Sequence, residues 1–351
     1  MPHKTLVLGS NSFSGQDFVD LLLTDTEHDV VGVSRSPEKP EVFLSYRSRS
    51  PEILHRDGDP DAPSRFSFHQ LDLNQDWARL FELIDTERPD YVINFAAQSE
   101  VAPSWLHPDQ WAMTNVVAVA RLGDFLRQKD WLKRYVHISS PEAYGSCEGV
   151  VKEGHRDNPS TPYAASKSAG DAFLDTYIKQ YGFRCTKVRA TNVYGPHQQL
   201  FKIIPRSAIY LKQREQGQDT VIELHGGGHA VKSYIHIRDV SRGELAAMLH
   251  GDASDFPHHS LHLAPEGGTA VRDVVRLICD AAGQDFDAAT RIVDERPGQD
   301  KAYVIDASFA RDTLGWSPRI DLADGLRQVF EWVDHYWDDI QQLPLGYVHQ
   351  A

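Results

Sequence analysis

The chain has 351 residues, of which 41% are hydrophobic and 25% charged, and its formal net charge is −14 at pH 7. This composition is typical of a globular protein with room for one large domain and a smaller one. The acidic balance argues against nucleic acids and anionic membranes as partners, because both are polyanions. A phosphorylated ligand would therefore need isolated Arg and Lys side chains within a pocket.

Short β-branched runs alternate with helical patterns along the first half of the chain. Strands are predicted at residues 5–8, 30–33, 66–71, 91–95 and 135–138, and a helix is predicted around residues 18–23. This alternation predicts parallel strands joined by right-handed crossovers, which is a Rossmann-like, doubly wound α/β sheet. The stretch from Pro37 to Pro63, rich in Pro, Ser, Arg and Asp, is predicted to be a surface excursion.

Past Pro196 the alternation fades, which predicts a smaller, mixed α/β C-terminal substrate domain. The predicted boundaries assign residues 1–195 and about 233–255 to the Rossmann domain. They assign residues 196–232 and about 256–351 to the second domain.

A glycine-containing turn, residues 9–15, joins the first strand to the first helix. A dinucleotide pyrophosphate at such a turn would meet free backbone N–H groups and the positive end of the helix dipole. Ser12 stands where the usual fingerprint has its middle glycine, and it is small enough to be tolerated. The alternative is a plain strand-to-helix turn. The residues predicted to bind the cofactor here are Gly9, Asn11, Ser12, Phe13, Ser14 and Gly15.

The ends of the next two strands carry residues that would contact the adenosine half of a dinucleotide. Ser34 and Arg35 stand where an Asp or Glu would favour NAD, and they suit a 2′-phosphate, so NADP is predicted, with NAD as the alternative. Arg35 as a solvated loop cation is the competing interpretation. Asp72 and Leu73 lie where this fold often holds the adenine edge, although Asp72 at a helix N-cap is equally compatible with the pattern.

Ser140 and Glu142 follow the strand at 135–138, so their side chains are predicted to lie at the carboxyl edge of the sheet, where open α/β sheets bind ligands. Tyr163 and Lys167 are four residues apart on one face of a helix predicted to begin near Pro162. A nearby ammonium lowers the pKa of a phenol, which would make Tyr163 a base for an alcohol losing hydride. Tyr-x-x-x-Lys alone is weak in a chain with 13 Tyr, but it gains weight behind a nucleotide-binding turn and a strand-terminal Ser.

In this order the motifs resemble those of the extended short-chain dehydrogenases/reductases, from the Gly9 turn to Asp306. Residues 94–101, 114–116 and 189–196 are similar to segments of the nucleotide-sugar 4,6-dehydratases, both the dTDP-glucose and the GDP-mannose branches. The resemblance implies an enzyme with a nicotinamide cofactor and a nucleotide-sugar substrate. It implies cofactor contacts at Ala96, Ala97 and Gln98, which join Tyr163 and Lys167, and substrate contacts at Ser99, Glu100 and Asn192.

The resemblance also implies an internal oxidation, elimination and reduction. Tyr163 would take the C4 hydroxyl proton as hydride leaves C4, with Ser140 bonding that oxygen and Lys167 holding Tyr163 and the ribose. Glu142 would remove the C5 proton, water would leave C6, and the hydride would return to C6. The product is a 4-keto-6-deoxy sugar, and no external reductant is consumed.

Two positions depart from the family pattern. Pro141 stands where the dTDP-glucose branch has an Asp, and Glu100 stands where relatives often have His. Since Pro cannot donate a proton, either Glu142 serves twice or Ser139 or a water protonates the leaving hydroxyl. The GDP-mannose branch also lacks that Asp, so the departure does not imply loss of activity.

Lys202, Lys232 and Arg296 match family positions that cover the nucleotide and its diphosphate. Relatives usually have Arg at the position of Lys232, and Lys supplies a point charge without the guanidinium fork. Each residue singly is more often a surface cation. Together they would form a small cationic pocket within an acidic protein.

The helices around residues 111–126 and 164–181 have apolar faces, and relatives pair these helices into a four-helix bundle, so a homodimer is expected. The alternative is burial within the monomer. No metal site is predicted, because Cys147, Cys185 and Cys279 are odd in number and widely spaced. Their spacing, the absence of a signal-peptide pattern and the short apolar runs predict a cytoplasmic protein without membrane contact.

Two other functions remain open at this point. One is a nucleotide-sugar C4 epimerase or 4-ketoreductase on the same fold, in which Glu142 would be a bystander. The other is a non-catalytic NADP-binding protein.

Overall fold

The computed structural model describes residues 2–59, 61–147, 149–294 and 304–350. Its strands, β1 to β15 in chain order, are Lys4–Leu8, Asp29–Ser34, Phe66–Gln70, Tyr91–Asn94, Arg134–Ile138, Val150–Val151, Cys185–Ala190, Asn192–Tyr194, Ile222–His225, Val231–Lys232, Tyr234–His236, Ser260–Leu263, Thr269–Ala270, Thr290–Val293 and Val304–Ile305. Its helices, α1 to α14, are Phe13–Asp25, Pro51–Leu54, Trp77–Glu87, Val101–Ser104, Pro108–Ala112, Ala118–Leu126, Pro162–Tyr181, Ile203–Glu215, Ile237–Leu249, Val271–Ala281, Phe286–Ala289, Ser308–Leu314, Leu322–His335 and Trp337–Ile340.

Within the described residues, seven strands form one parallel sheet in the order β12-β7-β5-β4-β1-β2-β3. Successive side chains on a strand point to opposite faces. Val7 therefore packs into the apolar layer beneath α1 and α9, while Leu6 and Leu8 pack into the layer beneath α3, α6 and α7. The predicted Rossmann-like, doubly wound sheet is confirmed, and the five predicted strands correspond to β1–β5.

Each of the two helices that border the site is preceded by a residue whose side-chain hydroxyl caps it. The Ser12 hydroxyl accepts a hydrogen bond from the Gly15 amide at the start of α1. The Thr161 hydroxyl accepts one from the Ala164 amide at the start of α7, whose first residue is Pro162. Both arrangements satisfy amides that have no partner inside the helix.

A second apolar core lies under α8, α10 and α13, with residues such as Ile204, Val274 and Val329 fully covered. It is the part of the chain predicted to form the substrate domain, and the division into two domains stays a prediction. One boundary is wrong. Ser260–Leu263 was assigned to the second domain, but it pairs in parallel with Cys185–Ala190 as the edge strand of the main sheet. Its Leu261 and Leu263 fill the same apolar layer as Val7.

The stretch from Pro37 to Pro63 is less superficial than predicted. Short helical turns at Glu41–Phe43 and Ser45–Ser48 bury Val42, Leu44 and Tyr46. These side chains add apolar contact beside α1, and composition alone hides them among polar neighbours.

Candidate active site

The turn after β1 brings the backbone close to the sheet edge. Gly9 has φ +80°, and a Cβ there would lie 2.6 Å from the Ala96 amide nitrogen. A Cβ on Gly15 would lie 2.2 Å from the Gly9 carbonyl oxygen. Only glycine allows either approach. The first turn of α1 carries no acidic residue, so its positive end is available to a pyrophosphate, and the turn fits a dinucleotide.

A cavity of about 340 Å³ runs from this turn along the carboxyl ends of β1, β2, β3 and β4. The sequence-predicted residues that line it are Gly9, Asn11, Ser12, Ser34, Arg35, Asp72, Leu73, Ala96, Ala97, Gln98, Ser99 and Glu100. Phe13, Ser14 and Gly15 lie next to it, in the first turn of α1. The structure therefore brings together predicted cofactor residues from four separate strand ends.

At the end of β2, the Ser34 hydroxyl accepts a hydrogen bond of 3.0 Å from the Asn11 amide, which ties the glycine turn to the second strand. The carboxylate of Asp72 accepts a bond of 2.7 Å from the Asn74 amide. Because α3 begins at Trp77 with Asp76 before it, Asp72 is not the helix N-cap. It lies at the cavity wall instead.

The C-terminal segment, residues 343–350, crosses the mouth of this cavity, an arrangement that no sequence pattern indicates. The carbonyl oxygen of Gln350 accepts hydrogen bonds from Arg35 at 2.9 Å and from Gln98 at 3.0 Å. The His349 ring stacks on the His107 ring, with centroids 4.7 Å apart. Its Nε2 is 2.7 Å from the Gln110 side-chain oxygen. We call residues 343–350 the C-terminal strap.

The predicted catalytic residues converge where β5 meets α7. Ser140 lies just past β5, and its hydroxyl hydrogen-bonds the phenol of Tyr163. Glu142 lies in the helical turn Pro141–Tyr144, and its carboxylate acts electrostatically on the same phenol. The Lys167 ammonium donates a 2.6 Å hydrogen bond to the Ile138 carbonyl oxygen. Of the described residues, these four do not line the dinucleotide cavity, and Tyr163 and Lys167 are 9% and 3% exposed.

Burial dominates the titration of this group. Burial raises the pKa of Tyr163, the Glu142 carboxylate raises it further, and the Ser140 hydrogen bond lowers it. The predicted lowering of the Tyr163 pKa is therefore wrong, because the structure raises it. Burial also lowers the pKa of Lys167 to about 8, while the Asp171 carboxylate opposes that shift.

Asn115 joins the cofactor loop to the catalytic helix. It lies in the wide helical turn Met113–Val117, where the α5–α6 helix departs from regular α geometry, as helices often do at functional sites. Its side chain accepts from the Gln98 amide and donates to the Gln98 carbonyl, both at 2.9 Å. It also donates to the Ser166 hydroxyl at 2.9 Å. The loop after β4 is thereby held against α7.

A buried charge network lies behind the catalytic group. The Asp171 carboxylate accepts from the Ser139 hydroxyl at 2.6 Å and from Arg189 at 2.7 Å, and Arg189 also pairs with Asp157 at 2.8 Å. Burial raises the pKa of Asp171, but the neighbouring Arg189, His137 and Lys187 together outweigh burial and the pKa falls to about 2. Ser139 is therefore engaged with this network.

The predicted substrate residues are only partly brought together. Lys202 and Glu100 form an ion pair of 2.7 Å, and Glu100 lines the cavity. The Asn192 side-chain amide donates a hydrogen bond to the Ser233 carbonyl, and Lys232 lies in β10. Neither residue lines the cavity. Arg296 lies outside the described residues.

Several large apolar side chains between α4 and α5, in the turn before α6 and on α7 are exposed. They are Trp105, Leu106, Met113, Val117, Phe173 and Tyr181. No helix in the described part of the chain is long and apolar enough to cross a membrane.

The parallel sheet, the glycine turn and the order Ser140, Tyr163, Lys167 define an extended short-chain dehydrogenase/reductase. A family model described as GDP-mannose 4,6 dehydratase matches residues 6–329. The chain belongs to that family, among the nucleotide-sugar 4,6-dehydratases.

Known proteins agree with this assignment. A dTDP-glucose 4,6-dehydratase of Streptomyces antibioticus is 28% identical over 347 residues, which is 97% of this chain and 96% of that enzyme. A trifunctional UDP-glucose 4,6-dehydratase of Arabidopsis thaliana is 29% identical over 265 residues, but the match spans 38% of that longer enzyme.

Solved structures give the same picture. DesIV, a dTDP-glucose 4,6-dehydratase of Streptomyces venezuelae with NAD bound, has a TM-score of 0.79 and 28% identity, covering 95% of this chain and 97% of that one. A UDP-glucose 4-epimerase of Thermotoga maritima with UDP-glucose has a TM-score of 0.80 and 25% identity, covering 95% and 99%. The fold is shared between dehydratases and epimerases, so residues in the site have to separate the two reactions.

Proposed function

We propose that the chain catalyses the 4,6-dehydration of a nucleoside-diphosphate hexose. The observation that carries this proposal is the carboxylate of Glu142 acting on the Tyr163 phenol. Oxidation at C4 needs a hydroxyl and a phenol, whereas elimination across C5 and C6 also needs a base for the C5 proton. A C4 epimerase on the same fold has no use for that carboxylate.

Each residue has one task in the proposed reaction. A bound nicotinamide dinucleotide supplies the hydride acceptor and later the hydride donor. Tyr163 removes the C4 hydroxyl proton, and the Ser140 hydroxyl bonds the C4 oxygen. The raised pKa of Tyr163 means that the phenol keeps its proton unless a positive charge lies beside it, a charge that the Lys167 ammonium, one turn along α7, and an oxidised nicotinamide would supply. Once C4 is a ketone, C5–H is acidic and Glu142 removes that proton.

The test is turnover with dTDP-, GDP-, UDP- and CDP-hexoses, read by mass spectrometry for loss of one water. Glu142→Gln should stop water loss but keep C4 oxidation, so reduced cofactor should accumulate during the assay. Tyr163→Phe should stop both steps. Formation of a C4 epimer with no loss of water would favour the epimerase instead.

We propose NADP as the cofactor, with NAD as the alternative. Arg35 and Ser34 line the cavity at the end of β2, where a 2′-phosphate would meet a cation and a hydroxyl. The solved relatives with NAD bound make the alternative a real one. Titration of the chain with NADP⁺ and NAD⁺ decides between the two cofactors. Arg35→Ala should weaken the binding of NADP⁺ and leave that of NAD⁺ unchanged. An equal loss of affinity for both dinucleotides would contradict the proposed role of Arg35.

We also propose a homodimer in which the helices around residues 111–126 and 164–181 of two copies form a four-helix bundle that covers the exposed apolar side chains there. Phe173, on the second of these helices, is 44% exposed, and Ile292 is 70% exposed elsewhere. Phe173→Glu should therefore give a monomer by light scattering, whereas Ile292→Glu should leave the mass unchanged. A wild-type chain that is already monomeric would contradict the proposal.

A further inference from the structure

Loss of hydroxide from C6 requires a proton, and the residues beside Glu142 do not supply one. Pro141 has no ionisable group. The Ser139 hydroxyl donates to Asp171 at 2.6 Å, in the network behind the site. The Ser140 hydroxyl is bonded to the Tyr163 phenol. If Glu142 keeps the C5 proton until it returns that proton to C5, a separate acid has to come from another element.

The neighbouring strand supplies a carboxyl group at the same edge. β4 and β5 are parallel and adjacent, with Asn94 opposite His137. Since neighbouring strands are about 4.8 Å apart, the segments that follow them leave the sheet side by side. Glu142 follows β5 and Glu100 follows β4, so their side chains emerge from adjacent strand ends.

Hydrogen bonds on either side of Glu100 hold its segment near the catalytic helix. Glu100 immediately precedes α4, and the Ser104 hydroxyl at the end of α4 accepts a 3.2 Å hydrogen bond from the Tyr163 amide. Asn115 fixes Gln98, two residues before Glu100. The Glu100 and Glu142 carboxylates both raise the pKa of Tyr163, so both act on the same phenol.

We propose that Glu100 is the general acid that protonates the departing C6 hydroxyl. This inference rests on the proposed dehydration. Glu142 takes the C5 proton, the C6–O bond breaks with its electron pair on oxygen, and the Glu100 proton joins that oxygen to form water. Hydride then adds to C6, and Glu142 returns its proton to C5. The C4 hydroxyl proton, released to Tyr163, balances the proton that Glu100 gave up.

Lys202 links Glu100 to the substrate. Its ammonium pairs with Glu100 at 2.7 Å, and the Glu100 side chain is 20% exposed. A substrate diphosphate would compete for the same ammonium. In the proposed step, that competition releases the Glu100 carboxyl from the ion pair so that it can carry the proton to the departing hydroxyl.

The test separates acid from base. With substrate in D₂O, Glu142→Gln should incorporate no deuterium at C5. Glu100→Gln should still reduce the cofactor and exchange C5–H, but should lose water about 10²–10⁴-fold more slowly, the usual contribution of a general acid. A 6-deoxy-6-fluoro sugar nucleotide, whose fluoride leaves without protonation, should restore elimination in Glu100→Gln and not in Glu142→Gln.

Three outcomes would overturn the inference. One is product formation by Glu100→Gln at the wild-type rate. Another is loss of C5 exchange together with loss of water, which would place Glu100 before the elimination. The third is failure of the fluoro substrate to restore turnover. If the wild type released no 4-keto-6-deoxy product, both the proposed function and this inference would be wrong. If the wild type released that product but Glu100→Gln gave one of the three outcomes above, only the role of Glu100 would be wrong.

Discussion

Lys167 offers a measurable conflict between stability and activity. Its ammonium is buried, and burial lowers its pKa from 10.5 to about 8. Each pKa unit corresponds to about 1.4 kcal/mol, so keeping this charge in the folded chain at neutral pH costs about 3 kcal/mol. Lys167→Met keeps the bulk of the side chain and removes the charge. It also leaves the Ile138 carbonyl without its donor, which costs about 1 kcal/mol. The net gain in the free energy of unfolding should be about 2 kcal/mol.

The gain should depend on pH in a defined direction. The folded-state pKa lies below the unfolded value, so between about pH 8 and pH 10.5 the unfolded chain binds more protons and the wild type gains stability as pH rises. The free-energy cost of burying the Lys167 charge is fully present below about pH 8 and is absent above pH 10.5. Lys167→Met should therefore be the more stable protein at pH 7 and lose that advantage near pH 10.

Urea unfolding of both proteins at the two pH values is the assay, because other titrating groups are common to both and cancel in the difference. Lys179→Met is the matched control, since Lys179 is exposed on the same helix and should change stability by less than about 0.5 kcal/mol. Turnover should vanish in Lys167→Met only. A variant that is less stable at pH 7, or whose difference is the same at both pH values, would refute the reasoning.

Two further outcomes test other parts of the molecule. His349→Ala removes the ring stack and the Gln110 contact that fasten the C-terminal strap, so bound cofactor should dissociate faster in stopped-flow displacement. Gln342→Ala, at an exposed residue just before the strap, should leave that rate unchanged, and equal rates for both variants would mean that the strap does not retain cofactor. Asp171→Asn should cost about 3 kcal/mol in urea unfolding, because it removes the more buried of the two carboxylates that neutralise the buried Arg189. Glu223→Gln breaks an exposed ion pair and should cost less than about 1 kcal/mol, so a similar cost for both would argue against the buried network.

The success of the sequence prediction follows from how local its signals are. Successive side chains of β1–β5 point alternately into the two apolar layers that cover the sheet. These strands can therefore be predicted from their own sequence, without knowing which strands lie beside them. Tyr163 and Lys167 share a helical face by spacing alone. The capping role of Ser12 was available too, because a hydroxyl three residues before Gly15 at a helix start is a local pattern.

What failed depends on contacts between distant segments. The strap reaches Arg35 and Gln98 across 315 and 252 residues, and nothing in its composition indicates where it lies. Ser260–Leu263 has the composition of many short strands, and only its pairing with β7 assigns it to the main sheet. The phenol pKa was predicted from one neighbour, whereas burial, which the sequence does not display, determines its direction.

The amino-acid sequence by itself determined the doubly wound sheet, the glycine turn and the chain order of Ser140, Glu142, Tyr163 and Lys167. Those features arise from periodicity and spacing, which act over a few residues. Only the tertiary structure placed the segments that carry Glu100 and Glu142 after adjacent strands, paired Glu100 with Lys202 over a separation of 102 residues, and laid the strap across the cavity. Electrostatic coupling depends on distance in space and on burial, and folding sets both.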